Sequence, residues 1–317
     1  MKRLLVLPAV AVLLAGCAAP APAPTPTPEG PLTLRNCGVE VTFDAPPERV
    51  VTIKSTSTEM LLALGLGDRI IGTAFQDGPV PDEWADAAAD LPVLAERMPS
   101  QEVVYAAEPD LVYAGWESAF SAEAAGDRAD LAALGVASYV QPAACQSAEQ
   151  PAKLDFDEIF REIAEVADIF DVDATALLDA QRAELAAIEP ADGDLTALWW
   201  SSGTDTPYVG AGIGAPQLVL ETAGLANIAS DLDATWSPFN WESVLDADPD
   251  VLVLVDATWN SAQKKIDYLT TNPATAHLSA VVNERFVILP FASSEAGVRS
   301  VSAAASVVEQ LEELDLP

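Results

Sequence analysis

One internal repeat constrains the fold more than any other feature of this chain. Ser100-Gln101-Glu102-Val103-Val104 runs on to Glu108-Pro109-Asp110-Leu111-Val112, and Asn240-Trp241-Glu242-Ser243-Val244 runs on to Asp248-Pro249-Asp250-Val251-Leu252. In both copies the Pro stands seven residues after the Glu, and Pro-Asp leads into an apolar strand. A weaker echo links Leu62-Ala63-Leu64-Gly65-Leu66 with Glu221-Thr222-Ala223-Gly224-Leu225. Two copies of one unit make two related lobes, and a ligand cleft between them follows from that arrangement.

Both halves alternate strand and helix patterns. Val50–Ile53, Arg69–Gly72, Asp110–Ala114 and Val136–Val140 are short apolar runs of the kind a buried parallel sheet takes. Thr56-Ser57-Thr58-Glu59 reads as a capping box opening a helix to Leu64, with a further helix around Glu123–Leu134. Residues 156–188 are helix formers with apolar positions at helical spacing. Strands follow at Leu195–Trp200, Val251–Val255 and Phe286–Leu289, with a helix from Pro216 and a closing helix at Val298–Leu314. The expected fold is α/β: two lobes, each a mainly parallel sheet flanked by helices, joined by a connecting helix. The segments are an N-terminal lobe at 32–152, a helical connector at 153–190 and a C-terminal lobe at 191–317.

The beginning of the chain is an address. Lys2 and Arg3 precede an apolar stretch from Leu4 to Leu14, too short for a permanent membrane span, so residues 1–16 read as a secretory signal. Leu14-Ala15-Gly16-Cys17 resembles a bacterial lipobox, which makes Cys17 the lipidated N-terminus of the mature protein. Residues 17–31 form a lipidated Pro/Ala-rich tether, with six prolines between Ala18 and Pro31. The protein is therefore expected to be secreted and lipid-anchored to the outer face of the bacterial cell membrane. Cys37 and Cys145 lie in an oxidising compartment there, where a disulfide between them is the default.

Charge and composition exclude several functions. With 49 Asp+Glu against 15 Lys+Arg, the formal net charge of −34 argues against any nucleic-acid partner. Loss of Lys2 and Arg3 with the signal makes the mature chain more acidic still. A single His, His277, rules out every two-His motif, and no Cys/His cluster supports a transition-metal site. No metal and no cofactor is expected. Gly210-Ala211-Gly212-Ile213-Gly214 has the wrong spacing for a dinucleotide loop. It reads as a tight turn needing glycine backbone angles, or as an anion contact at a helix start. The chain is not expected to be an enzyme. A lipid-anchored adhesion or assembly protein would share the acidity, but would not need Gly/Ser/Trp-rich loops after each strand.

Pro47-Glu48-Arg49-Val50-Val51, Ser57-Thr58-Glu59 and Ala63-Leu64-Gly65-Leu66-Gly67-Asp68-Arg69-Ile70-Ile71-Gly72 resemble the opening of one family. These are the substrate-binding proteins of iron-siderophore, haem and cobalamin ABC importers. Glu-Pro-Asp-Leu-Val at 108–112 and Asp-Pro-Asp-Val-Leu at 248–252 match that family's two strand openings. The resemblance covers roughly residues 40–312. It implies a monomer of two small lobes around a rigid connecting helix, with limited hinge motion and no catalysis. The partners it implies are a small-molecule ligand and an ABC permease dimer in the cell membrane. One Glu per lobe would dock on permease arginines, and these map to Glu102 and Glu242. A first-turn carboxylate also suits the helix dipole without any docking role.

The candidate ligand residues lie in loops that leave the strands: Lys54-Ser55-Thr56, Trp116-Glu117, Ser202-Gly203-Thr204, Trp236, Phe239, Trp259 and Arg299. In α/β folds that carboxyl edge is where ligands bind. Trp116, Trp236 and Trp259 sit among polar residues, where ring faces serve a flat ligand, whereas Trp241 is expected in the core. Lys54 and Arg299 either face an anionic ligand group or pair with neighbouring carboxylates such as Glu295. Residues 201–216, Lys54-Ser55-Thr56 and Ala296-Gly297-Val298-Arg299 are similar to a subgroup assigned to import of a deazaflavin coenzyme precursor. The resemblance thus implies a flat anionic aromatic ligand, with a ferric siderophore, haem or cobalamin as the alternative.

Overall fold

The computed structural model describes residues 30–146 and 152–317. The signal segment, the lipidation site Cys17 and the tether as far as residue 29 lie outside the described residues.

The N-terminal half opens with an antiparallel hairpin, β1 (Leu32–Asn36) and β2 (Val39–Phe43), which the sequence pattern did not announce. Then come β3 (Val50–Ile53), α1 (Ser55–Ala63), β4 (Ile70–Ala74), α2 (Ala85–Ala88) and β5 (Val93–Ala95). They are followed by α3 (Gln101–Ala106), β6 (Leu111–Ala114), α4 (Arg128–Ala133) and β7 (Ala137–Val140). The five strands after the hairpin form one all-parallel sheet in the order β5-β4-β3-β6-β7. Cys37, at the tip of the hairpin, is disulfide-bonded to Cys145 just beyond β7. That bond closes a loop with a sequence separation of 108 residues and ties the hairpin to the sheet.

The connector is helical but broken in two, α5 (Phe156–Ile169) and α6 (Thr175–Ala187). Asp171 takes a left-handed φ of 52° at the break, where the helical ladder cannot continue. The face of α5 carrying Ile159, Ile163 and Val166 is buried against Tyr113 and Tyr139 of the first sheet.

The second half comprises β8 (Thr196–Ser202), β9 (Tyr208–Gly210), α7 (Ala215–Thr222), β10 (Ala226–Asn227), β11 (Trp236–Pro238) and α8 (Trp241–Ala247). It ends with β12 (Val251–Asp256), α9 (Ala262–Thr271), α10 (Ser279–Val282), β13 (Phe286–Pro290) and α11 (Ser300–Glu312). Its sheet runs β11-β9-β8-β12-β13, with β8, β12 and β13 parallel and β9 reversed. The reversal needs Gly203: its φ is 79°, and a Cβ there would sit 2.2 Å from the Thr206 carbonyl oxygen.

Strand periodicity decides which side chains meet. Ala197 and Trp199 on β8 join Val251, Val253 and Val255 on β12 in one core layer. Leu198, Trp200, Leu252 and Leu254 join the layer on the opposite face. A sheet covered on both faces therefore reads as an unbroken apolar run. Trp199 and Trp200 are the fully buried tryptophans. Trp241, expected in the core, is only half-buried and covers Trp200 edge-on at 5.1 Å.

Two other expectations are corrected. Thr56 is no cap, because α1 already starts at Ser55 and Lys54 is its N-cap without any side-chain capping bond. The Ser57 hydroxyl instead donates back to the Ile53 carbonyl at 2.8 Å, and Thr58 shares a 2.7 Å hydroxyl bond with Thr52. The helix expected over Glu123–Leu134 is confined to α4, because residues 117–126 form turns.

The repeat folds the same way twice. Ser100 caps α3 through a 3.4 Å bond from Val103 N–H, and Asn240 caps α8 through a 2.7 Å bond from Ser243 N–H. Glu108 and Asp248 both take left-handed φ values, 51° and 40°, to end those helices before the Pro. The Asp110 carboxylate then accepts from the N–H groups of Glu48 (2.8 Å) and Arg49 (2.9 Å) at the start of β3. Asp250 accepts from Thr196 N–H (2.9 Å) and Oγ1 (2.8 Å) at the start of β8. Each Asp thus registers two neighbouring parallel strands. Asp110→Ala and Asp250→Ala should each cost about 1–2 kcal/mol in urea denaturation. Their sites share no partners, so the double variant should lose the sum, and a large non-additive coupling would contradict independent lobes.

Candidate functional site

Between the two sheets lies a cavity of about 320 Å³, within the ordinary size range of small-ligand clefts. Trp116 and Gln141 border it from the first lobe, and Ser201, Ser202, Tyr208, Trp236, Trp259, Phe291, Ser294 and Glu295 from the second. Most of these residues stand at or just beyond the carboxyl ends of strands, where a parallel sheet leaves its loops free to approach a ligand.

Behind the cavity wall sits a buried cation. Lys54 is fully buried, and its ammonium pairs with Asp77, itself 2% exposed. Three rings surround the same ammonium: Trp116 at 4.0 Å, Phe75 at 4.3 Å and Phe291 at 4.5 Å from Nζ to ring centroid. Rings present their negative faces to a cation, so this cage replaces part of the lost hydration. The Lys54 backbone sits at φ 83°, ψ 151°, a region that essentially only glycine occupies. Phe75 is also left-handed, at φ 50°. Two strained residues side by side are held there by tertiary contacts, which is usual at binding sites and rare elsewhere.

The cage spans the lobe boundary, since Phe291 comes from the second lobe. Further bonds cross the same seam. Trp116 Nε1 donates to both Glu295 oxygens at 3.0 and 2.9 Å, and Thr258 N–H donates to the Asp77 carbonyl at 3.0 Å. Arg299 forms a two-pronged pair with Glu59 at 2.6 and 2.5 Å. Burial pushes the Glu59 carboxyl above its usual range, opposed by Arg299. Burial likewise pushes Glu295 up to about 7, opposed by the charge of Lys54 and the Trp116 hydrogen bond.

The structure divides the residues singled out from the sequence. Trp116, Ser202, Trp236 and Trp259 border the cavity. Ser55 and Arg299 face a second hollow of about 340 Å³ on the far side of Asp77 and Phe291. Lys54 and Thr56 are buried, and both cations are taken by internal carboxylates, Asp77 and Glu59, not Glu295. Arginine and lysine placed to meet an anionic ligand are therefore replaced by closed ion pairs. Glu117, Gly203, Thr204 and Phe239 do not border the cavity. The carbonyl of Thr204 instead accepts from Trp241 Nε1 (2.6 Å) and Tyr268 OH (2.7 Å) on the outer side of the second lobe. Glu102 and Glu242 are both exposed, each the second residue of its helix.

The N–H groups in the middle of the glycine loop are taken internally, while Gly214 and Ala215 at the start of α7 border the cavity. The N–H groups of Ala211, Gly212 and Ile213 donate to carbonyls of Thr235, Leu232 and Ala234. The glycines there do not have positive φ; a Cβ on Gly212 would lie 2.0 Å from the Ser230 carbonyl oxygen, so close approach is the reason for the residue.

Phe75, Asp77, Gln141, Tyr208, Phe291, Ser294 and Glu295 complete the site and were not singled out as ligand residues. The Ala292-Ser293-Ser294 loop was visible as a strand exit, but no local pattern ties Phe75 or Asp77 to Lys54 across 23 residues or fewer of intervening chain.

A two-lobe parallel α/β fold with an aromatic cleft across its seam defines a solute-binding protein. The chain belongs to the Periplasmic binding protein family, whose sequence profile matches residues 50–292. It is similar to a periplasmic binding protein of Veillonella parvula, with TM-score 0.77 and 25% identity over 90% of this chain and 98% of the other. An ABC-type Fe3+-hydroxamate transport system protein of Saccharomonospora viridis gives TM-score 0.76 and 29% identity, over 89% and 99%. An uncharacterized ABC transporter substrate-binding lipoprotein of Bacillus subtilis, YvrC, is 31% identical over 121 residues, which is 36% of this chain and 36% of that relative's length. Among the described residues no helix is long and apolar enough to cross a membrane.

Between about pH 4.5 and 7 the folded protein keeps a proton on Glu295 that the unfolded chain has lost, so stability falls as pH rises across that window. Glu295→Gln should remove a component of that fall of at most about 3 kcal/mol. Urea denaturation of both proteins from about pH 5 to 8 checks this, and identical pH profiles would contradict it.

Proposed function

We propose that this protein is the lipid-anchored extracytoplasmic binding component of an ABC importer, which captures a flat aromatic ligand between its lobes and delivers it to a membrane permease. The single observation that carries this reading is the ring-walled cavity across the lobe seam, bordered by Trp116, Trp236 and Trp259. Membership of the Periplasmic binding protein family and the ABC-transport names of two relatives support the transport role. Cys17 as the lipid anchor fits the lipoprotein name of the Bacillus relative.

Glu102 and Glu242 are the docking pair of this reading. Each is exposed in the first turn of a matching helix, one per lobe, as a two-fold permease would require. Replacing both with Ala should abolish uptake in cells while ligand affinity stays unchanged. Loss of affinity would instead place them in the binding site.

For the ligand we favour a deazaflavin coenzyme precursor, whose flat ring suits the aromatic walls. A ferric hydroxamate is the second reading, favoured by the name of the Saccharomonospora relative. Lys54 and Arg299 count for neither, because both are paired internally. Tryptophan-fluorescence titration with 5-deazariboflavin and with ferric hydroxamates separates the two. Micromolar quenching by the deazaflavin, weakened at least about tenfold in Trp116→Ala, is expected. Quenching by ferric hydroxamates alone would overturn the deazaflavin reading.

A further inference from the structure

A buried cation outside the cleft is tied to it through a loop. Lys265 on α9 is 2% exposed, and its ammonium donates to the carbonyls of Val255 (2.6 Å) and Asn260 (3.0 Å). Those two carbonyls bracket the segment that carries Trp259 to the cavity. β8 pairs with β12 only as far as Leu254, and Val255 stands just past that point. From there Ala257 and Asn260 exchange both backbone bonds (3.3 and 3.0 Å), so Thr258 and Trp259 form the two-residue tip of a miniature hairpin. A hairpin held by one bridge is not stable by itself in water, so its base must be fixed from outside.

Lys265 supplies that fixing. One ammonium bonds the outgoing arm at Val255 and the returning arm at Asn260, and charged donors make bonds about twice as strong as neutral ones. Two further bonds brace the same base. The Asp256 carboxylate accepts from Ala262 N–H at 2.7 Å, and Asn260 Nδ2 donates to the Ser201 carbonyl at 3.2 Å. The tip then reaches across the seam, where Thr258 N–H meets the Asp77 carbonyl at 3.0 Å. The Trp259 ring meets Phe291 edge-on at 5.3 Å. Burial lowers the Lys265 ammonium to about 8, opposed by the charge of Asp256 at the end of β12. Lys264 and Asp267 on α9, and His277 beyond it, are exposed to solvent. An apolar side chain would fill the same space without the cost of a buried charge, so the two carbonyls are the reason for the lysine.

We infer that Lys265 is a positioning residue for the ligand cleft: its ammonium closes the base of the 255–260 hairpin and thereby holds the Trp259 ring at the cavity. Lys265 does not itself border the cavity, so it reaches a ligand only through that ring. The inference rests on the cleft being the ligand site, as proposed above, and deepens that reading by naming what sets one of its rings. Loss of the Lys265 proton above about pH 8 replaces charged donors by weaker neutral ones, so the tip loosens and affinity falls. Global stability moves the other way. Between about pH 8 and the usual lysine range the unfolded chain keeps a proton that the folded protein has lost, so this group raises stability as pH rises. A fall in affinity across that window is a change of position and not unfolding.

Two measurements test it. Without ligand, the Trp259 signal is the difference in fluorescence between the wild-type protein and Trp259→Phe. Its acrylamide quenching should rise about twofold between about pH 7 and 9, and Lys265→Met should show the raised value at both. With 5-deazariboflavin as the probe, isothermal titration calorimetry should give an affinity about fivefold weaker at about pH 9 than at about pH 7 in the wild type. Trp259→Ala should lose most of that fall. Any contribution of Glu295 is common to both proteins, so their difference belongs to the Trp259 loop. In the Trp259→Ala background, Lys265→Met should change affinity by less than about twofold. If Lys265→Met does not fold, the pH profiles of the wild type, Trp259→Phe and Trp259→Ala carry the test alone. A Trp259 signal indifferent to pH and to Lys265→Met would overturn the inference, whatever the probe does. An effect of Lys265→Met on affinity that persists at full size without Trp259 would overturn it too. A responsive Trp259 signal with no probe binding, or with binding that ignores Trp259→Ala, would support the role of Lys265 and overturn the cleft reading instead.

Discussion

The Lys54 ammonium, held between Asp77 and the faces of Phe75, Trp116 and Phe291, is the contact on which the site depends. A buried charge is tolerated only when its partners replace water, and here the replacements come from the loop after β4, the loop after β6 and the loop after β13. Each participant thereby fixes a piece of the cleft. Trp116 and Phe291 turn one surface to the lysine and line the cavity between the lobes as well. Asp77 receives Thr258 N–H through its carbonyl and lies 3.4 Å from Trp259 Nε1 through its carboxylate, which anchors the third cleft loop. The glycine-like backbone of Lys54 is held in place by these interactions together.

The same cluster limits motion between the lobes. Glu59 and Arg299 form a second buried pair across the seam, and Gln181 on α6 donates to the Val298 carbonyl at 2.6 Å. Ala296, Val298 and Val301 share a core with Met60 and Leu61 of the first lobe. Apolar continuity and paired charge across one boundary favour small adjustments around a ligand over wide opening.

Much of the architecture was legible because it rests on local pattern. The repeat at 100–112 and 240–252 works through caps, a left-handed residue and a strand-registering Asp, all within thirteen residues, and it folds alike in both lobes. Continuous apolar runs such as Val251–Val255 announce a sheet covered on both faces. The β1–β2 hairpin carries no such signal, because its pattern is short and half-exposed, and the connector breaks where Asp171 adopts a backbone angle that composition does not reveal. The site was legible only in part. Trp116, Trp236 and Trp259 stand out as rings in polar loops. The fate of Lys54 and Arg299 depends on Asp77 and Glu59, and Arg299 meets a carboxylate 240 residues away in the chain. Spacing carries no trace of such a pairing, so the sequence leaves open whether these cations are paired and does not name Asp77 or Glu59 as their partners.

A double-mutant cycle between Lys54 and Asp77 measures the central contact. Lys54→Met leaves the buried Asp77 carboxylate without its cation, and Asp77→Asn leaves the buried ammonium with the rings alone. Each single variant should lose about 3–5 kcal/mol of folding stability in urea denaturation. The double variant should lose little more than either single, giving a coupling energy of at least about 2 kcal/mol. Additive losses would contradict the account, because the ammonium and the carboxylate would then not be the pair that organises the cleft.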